Sequence, residues 1–313
     1  MKRSAAAPSF PMPDARILVI RGGAVGDFIL TLPVLAALRS NLPNARLEVL
    51  GYQHIANLAV AGGIADRVRG IEERGFATFF ARNAPLPREQ VEYFRTFGVI
   101  ISFLYDPDEI FQENIRSCSP AQFIVGPHRP DETGTVHATD VLLKALERLA
   151  IFGAPNEPRL AVPAAAPPGP GRWLAAHPGS GSERKNWPEA RWAELLGWVT
   201  NSTDWNVLLI GGEAEGKRIE CLAAALPAGR VRVSLNAPLV ELAAILSGCE
   251  GFIGHDSGLT HLAAAVGLPG VVLWGHTNES VWRPRCATMR ILRSPAGLTG
   301  ISVQKATGAL GEL

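Results

Sequence analysis

Two aspartates stand in glycine-containing turns, each between a short apolar run and a helix-like run. The first is Asp27, at the end of Gly22-Gly23-Ala24-Val25-Gly26-Asp27, which follows Arg16 to Arg21 (RILVIR). A carboxylate at such a turn, facing a cleft, can take a proton from a hydroxyl; it can equally cap a helix. The second is Asp256, in His255-Asp256-Ser257-Gly258, between Gly251-Phe252-Ile253 and the Ala- and Leu-rich stretch Leu259 to Val266. Asp256 and Ser257 are natural N-cap residues, and Gly258 lets a ligand come close to the backbone. The free N–H groups there, with roughly half a positive charge from the helix dipole, suit a phosphate. His261, in the first turn, either adds a donor or packs in the core. A third stretch, His177 to Pro188 (HPGSGSERKNWP), offers the hydroxyls of Ser180 and Ser182 and open backbone N–H groups. Its Lys185 can neutralise a diphosphate leaving group, although a loop lysine alone is usually just solvated. In Gly211-Gly212-Glu213, Glu213 either binds a ribose hydroxyl or simply favours a helix N-terminus.

The elements that must position these residues alternate between strand and helix. In the first half, strands are expected at Arg16 to Arg21, Arg46 to Leu50, Arg67 to Ile71, Val99 to Leu104 and Phe123 to Val125. Helices are expected at Phe28 to Arg39, with Pro33 near its first turns, at His54 to Ala61, and at His137 to Phe152. The proline- and alanine-rich stretch Ala154 to Gly171 reads as a linker. The alternation then restarts at Trp173. It passes through the strand–helix–strand unit of Gly251 to Leu273, where Gly267 and Pro269 stop the helix, and closes on a helix at Ile301 to Leu310. The expected layout is a leader at 1–15, a first domain at 16–153, a linker at 154–171, a second domain at 172–300 and a closing helix at 301–313. The fold class is α/β, with two doubly wound, Rossmann-like parallel-sheet domains facing a cleft. Ligands of such sheets bind beyond the carboxyl ends of the strands, so the turns after Arg21, Ile210 and Gly254 should line that cleft.

Composition narrows the function classes. With 313 residues, 47% hydrophobic and 19% charged, the chain can bury two ordinary cores and is neither disordered nor fibrous. A formal net charge of +1 gives no global argument for nucleic acid. The cysteines Cys118, Cys221, Cys249 and Cys286 form no CxxC pair, which argues against a metal or redox motif and fits a reducing cytoplasm. The opening MKRSAAAPSFPMPDA is basic but lacks an apolar core, so it reads as a disordered leader and not as a signal peptide. No apolar span is long enough for a transmembrane segment, so a membrane-bound substrate would be met from the water side.

Some motifs fail their tests. The first turn is not a dinucleotide fingerprint, because Arg21 stands where GxGxxG needs glycine and Glu48 lies inside the next strand. Asp106-Pro107-Asp108 spells DxD, a metal-binding signature of a different fold, but as a lone tripeptide away from the phosphate motifs it reads as a turn. Arg67, Arg69, Arg74, Arg82, Arg88 and Arg116 could meet an anionic acceptor, although scattered arginines are more often solvated surface.

The string HDSGLTHLAAAVGLPGVVLWG closely resembles the Asp-Ser/Thr-Gly-x-x-His-x-x-Ala-Ala motif of glycosyltransferase family 9, the heptosyltransferases. Gly26-Asp27-Phe28-Ile29-Leu30-Thr31-Leu32-Pro33 resembles the family's opening motif, and the Lys185 loop resembles its donor-phosphate loop. This resemblance extends over nearly the whole chain. One departure lies between Trp282 and Ile301, where many relatives carry a cysteine-containing segment and only Cys286 stands here.

The resemblance implies a GT-B enzyme that transfers a sugar, heptose from ADP-heptose, with inversion to a lipopolysaccharide-core-type glycan. Asp27 would be the general base and Lys185 would act on the leaving diphosphate. Ser180, Ser182, Lys185, Gly212, Glu213, Asp256, Ser257, Gly258 and His261 would bind the donor. Gly26, Asp106, Arg116 and His137 would face the acceptor. No metal and no further cofactor is implied. The partners would be a nucleotide-sugar and a glycan or glycolipid at the inner membrane surface, with the protein cytoplasmic or peripheral there. Two other readings fit the same pattern: a nucleotide-sugar epimerase of the same architecture, and a non-catalytic nucleotide-sugar binding protein.

Overall fold

The computed structural model describes residues 15–163, 165 and 168–313. The leader expected at 1–15 therefore lies, apart from Ala15, outside the described residues, and so do positions 164, 166 and 167 of the expected linker. The first sheet is built from β1 (Arg16–Arg21), α1 (Val25–Asn41), β2 (Arg46–Gly51), α2 (Gln53–Ala61), β3 (Arg67–Gly70), α3 (Arg88–Arg95), β4 (Val99–Ser102), α4 (Ile110–Cys118), β5 (Gln122–Val125) and α5 (Ala138–Leu143). The second follows with β6 (Arg172–His177), α6 (Glu189–Ser202), β7 (Trp205–Gly211), α7 (Gly216–Ala224), β8 (Val231–Leu235), α8 (Leu239–Ser247) and β9 (Gly251–His255). It ends with α9 (Gly258–Ala265), β10 (Gly270–Leu273), α10 (Glu279–Trp282), β11 (Met289–Leu292) and α11 (Val303–Leu310).

Every strand pairing is parallel. The orders are β3-β2-β1-β4-β5 and β11-β10-β9-β6-β7-β8. Each order reverses direction once, between β1 and β4 in the first sheet and between β6 and β9 in the second. Those are the switch points where a crevice opens beyond the strand ends. The fold is thus the doubly wound pair of Rossmann-like domains expected from the alternation. The central strands β1, β7 and β9 are buried almost throughout, as the near-continuous apolar runs of a sheet covered on both faces require.

The two domains share a core. Ile17, Ile29 and Leu35 of the first belong to the same continuous apolar cluster as Leu242, Leu262 and Ala263 of the second. The contact centres on α1 against α9. Their first turns meet at two glycines, and a Cβ at Gly258 would stand 2.9 Å from Val25 Cβ and 3.0 Å from the Gly26 nitrogen. Glycine is needed there for this close approach.

The helix following β1 starts earlier than its apolar pattern suggests. It begins at Val25, not Phe28, because the Asp27 carboxylate reaches back to accept the Ala24 N–H at 3.0 Å. Pro33 consequently sits in the helix interior and not near its first turns. The long helix expected at 137–152 is α5 continued by a 3-10 segment, Lys144–Leu149.

Candidate active site

A cleft of about 780 Å³ opens where α1 and α9 begin, between the carboxyl ends of the two sheets. It is lined from the first domain by Gly26, Asp27, Arg129, Glu132 and Thr133, and from the second by Ser180, Lys185, Asp256, Ser257, Gly258, His261 and His276 to Asn278. Residues from five separate stretches, far apart in sequence, therefore line one cleft. Both helices begin at this cleft, and a helix start, with its unpaired N–H groups and positive dipole end, favours an anion.

Each helix start carries a cation–carboxylate pair. At α1, Asp27 Oδ1 lies 3.4 Å from Arg21 Nη2, while Oδ2 accepts the Ala24 N–H. Arg21 is buried, and its Nη1 donates to the carbonyls of His128 at 2.9 Å and Phe103 at 3.3 Å. Burial lowers the Arg21 pKa, and the Asp27 charge opposes that shift. At α9, Lys185 Nζ lies 2.9 Å from Asp256 Oδ2, so lysine and aspartate satisfy each other across the cleft floor. Ser257 caps α9 through its hydroxyl, which accepts from Thr260 N–H.

Three buried histidines of the second domain are held neutral. Burial pushes His177 down to about 4, His255 to about 3 and His261 to about 4, with the Asp256 charge opposing the shift at His261. His177 Nδ1 contacts Ser257 Oγ at 3.2 Å. The buried His261 ring abuts Gly26 and reaches the cavity wall. A neutral imidazole there can donate or accept one hydrogen bond to a ligand.

The structure brings Asp27, Lys185, Ser180, Asp256, Ser257, Gly258, His261 and Gly26 into this cleft, and leaves six other candidates outside its lining. Ser182 lies beyond the rim. Gly212 and Glu213 follow β7 but do not line the cleft, so the turn after Ile210 departs from the expected trio of lining turns. The acid turned inward at that turn is Glu215, which accepts the Gly212 N–H at 2.9 Å and packs on Gly179 at the start of the Lys185 loop. Asp106 accepts from Phe111 N–H at 3.2 Å and Gln112 N–H at 2.9 Å, so it caps α4. Arg116 is exposed on α4 with its guanidinium 5.7 Å from the Phe123 ring. His137 caps α5 by accepting from Thr139 N–H, and its Nε2 lies 2.8 Å from the Arg283 carbonyl of the other domain. That makes it an interdomain tie, beside the Asp140–Arg285 ion pair.

Sequence reasoning passed over several lining residues. A second cavity of about 390 Å³ opens on the other side of Asp27, lined by Arg21, Gly22, Tyr52, Phe103, Tyr105, His128 and Arg129. Tyr105 is exposed and stands 4.7 Å from the His128 ring. Asp27 and Arg129 line both cavities. Arg129 was hidden in an unremarkable HRPDE stretch, whereas Arg21 had a visible signal: an arginine closing an otherwise apolar strand. From the second domain, Asn278 donates to the Glu132 and Gly134 carbonyls, holding the loop that carries Arg129 against the cleft.

Among the described residues no group of three or more His, Cys, Asp or Glu could hold a metal ion. No helix among them is long and apolar enough to cross a membrane.

Residues 159–305 match the model of glycosyltransferase family 9 (heptosyltransferase). The chain is 37% identical over 97 residues to lipopolysaccharide heptosyltransferase 1 of Salmonella typhimurium, covering 31% of this chain and 30% of that protein. It is 23% identical over 291 residues to lipopolysaccharide heptosyltransferase 3 of Escherichia coli K12, covering 83% of this chain and 82% of that one. The chain thus spans under a third of the length of the Salmonella protein, in the match of higher identity. The structure of the Escherichia coli ADP-heptose lipopolysaccharide heptosyltransferase II superposes with a TM-score of 0.75 at 17% identity, over 95% of this chain and 98% of that chain.

Proposed function

We propose, for a chain whose residues 159–305 are a glycosyltransferase family 9 domain, that it transfers a sugar from a nucleotide-diphosphate donor to a glycan hydroxyl, with inversion and without a metal. The observation that carries this reading is the single cleft shared by Asp27, Lys185, Asp256, His261 and two helix N-termini. The donor diphosphate would lie against the start of α9, with the Lys185 ammonium and the open N–H groups taking up the charge of the leaving group. Asp256, relieved of Lys185, and His261 would hold sugar hydroxyls. The acceptor would approach through the smaller cavity, since Asp27 faces both spaces. The acceptor oxygen attacks the anomeric carbon from the face opposite the diphosphate; the new C–O bond forms as the old one to phosphate breaks, and Asp27 takes the hydroxyl proton.

The Escherichia coli neighbour is named for ADP-heptose and lipopolysaccharide, which supports heptose as the sugar, ADP as the nucleotide and a lipopolysaccharide-core glycolipid as the acceptor. Such an acceptor would be met at the inner face of the cytoplasmic membrane. The test is ADP release from ADP-heptose with and without a heptose-deficient lipopolysaccharide core. Release that requires the acceptor, together with a product heavier by one heptose, is the expected result. Release without acceptor and with a changed free sugar would instead make the protein an epimerase, and binding without turnover would make it a binding protein.

A further inference from the structure

His255 ends β9 immediately before Asp256, is almost completely buried, and has both ring nitrogens committed to a segment far away in sequence. Its Nε2 accepts the Trp187 N–H at 2.8 Å, and its Nδ1 lies 3.0 Å from the Gly179 carbonyl. The partners fix the tautomer: a main-chain N–H requires a lone pair on Nε2, and a main-chain carbonyl requires the proton on Nδ1. One ring therefore grips both ends of the segment Ser180 to Asn186, which carries Lys185. The grip is rigid on the histidine side, where the ring packs edge-on against Trp192 at 5.4 Å. It is rigid on the loop side as well, where the buried Trp187 indole donates to the Ile301 carbonyl at 3.0 Å. Between the two ends, Gly181 takes a positive φ of 72° and Ser180 Oγ lies 2.7 Å from Asn186 Oδ1, so the short loop closes on itself.

We propose that His255 is a positioning residue, which pre-forms the Lys185 loop so that its ammonium and N–H groups meet a diphosphate without first having to be ordered. The proposal rests on the reading of Lys185 as a diphosphate ligand. A loop ordered before binding spares the ligand the cost of ordering it, so the loss of the grip should appear in affinity.

The test uses H255F, which keeps a ring against Trp192 and removes both nitrogens, with H255N and H255Q beside it. Asparagine can replace Nδ1 toward Gly179, and glutamine can replace Nε2 toward Trp187. Hydrogen exchange of the ligand-free protein should show the peptide over residues 179–188 exchanging roughly tenfold or more faster in H255F, as expected of local opening, while peptides from β6 and α9 stay protected. H255N and H255Q should lie between H255F and wild type, and they carry the test if H255F does not fold. ADP titrations of wild type, H255F, K185A and the double variant complete it. H255F should weaken ADP about tenfold in the wild-type background and clearly less in K185A, where only the loop N–H groups remain to be positioned, because residues that act as one unit are not additive. Unchanged exchange over 179–188, or an effect on ADP that simply adds to that of K185A, would overturn the proposal. If wild type itself failed to bind ADP, the diphosphate reading and the proposed role of the grip would both fall. Faster exchange in H255F would then show a structural clamp without that role.

Discussion

At the start of α1 the cation is buried and the acid is open: Arg21 is 5% exposed, beneath an Asp27 that is 33% exposed. At the start of α9 the arrangement is inverted, with Asp256 11% exposed beneath a Lys185 that is 45% exposed. Both pairs sit on helix N-termini that touch at Gly26 and Gly258. The difference in wiring suggests a division of labour. A guanidinium bound to two carbonyls cannot leave, so it fixes its carboxylate in one place, as a proton acceptor needs. A lysine on an exposed arm can exchange its carboxylate for a phosphate and return, as a leaving-group ligand needs. The first pair offers the cleft an acid, and the second offers it a cation.

Acid should separate the two halves most strongly. His177, His255 and His261 all lie in the second domain, with pKa values pushed by burial from 6.5 to about 4, about 3 and about 4. Below 6.5 the unfolded chain binds protons that the folded chain refuses, so stability is full above 6.5 and falls as the pH drops toward 4. By pH 5 each buried histidine should cost about 2 kcal/mol, several kcal/mol together. Urea unfolding at pH 7 and pH 5 measures this; equal stability would mean that these histidines are not held neutral.

R21M should come next. It leaves the Phe103 and His128 carbonyls without their donor, and each buried acceptor left unsatisfied costs about 1–3 kcal/mol. K185M, at the mirrored position, should cost less, because it removes a single contact to an Asp256 that lines the open cleft and leaves no buried carbonyl without a donor. Thermal unfolding of the two variants checks the inversion directly, and equal losses would erase it.

Function should respond the other way round. K185A should weaken ADP by a charge-assisted contact of ~1.5–3 kcal/mol, roughly ten- to a hundredfold, while the acceptor KM moves little. Unchanged ADP binding by calorimetry would leave Lys185 as surface. The smallest effect expected is that of EDTA: activity should survive it, because in the proposed mechanism Lys185 and the helix N-termini take up the charge of the leaving group. Loss on chelation with rescue by Mg2+ or Mn2+ would contradict this.

The parts of the molecule that the sequence disclosed are those where local pattern and tertiary burial agree. The ILVI interior of RILVIR, the LAAA run and GVVL are apolar on every face, and they lie in β1, α9 and β10. No element was expected at Arg88–Arg95, yet α3 forms there. Half of its sequence REQVEYFR is charged, and the helix is held by Tyr93 and Phe94 inside a cluster with Phe76, Phe79 and Phe111 that only the folded chain assembles. The same limit applied at the site. Asp27 and Lys185 announced themselves through their turns. Glu215 did not, because which glutamate of Glu213-Ala214-Glu215 turns inward depends on Gly179, a residue from another loop. The ion pairs were also invisible, since Arg21–Asp27 is local but Lys185–Asp256 joins two loops across the sheet.

The central claim is that the acid of the first pair accepts the proton, and the pH dependence of kcat in wild type and D27N tests it most directly. Asparagine keeps the size of aspartate and can still accept the Ala24 N–H, so the helix start should survive. General-base catalysis typically contributes ~10²–10⁴-fold. D27N should therefore lose turnover by that order with ADP affinity nearly unchanged and with only a partial loss of melting temperature, because Arg21 loses its carboxylate but keeps its two carbonyl acceptors, and the one-proton acidic limb of the wild-type profile should be absent from it. A folded D27N with near wild-type turnover and the same acidic limb would place the base elsewhere and leave Asp27 as the cap of α1.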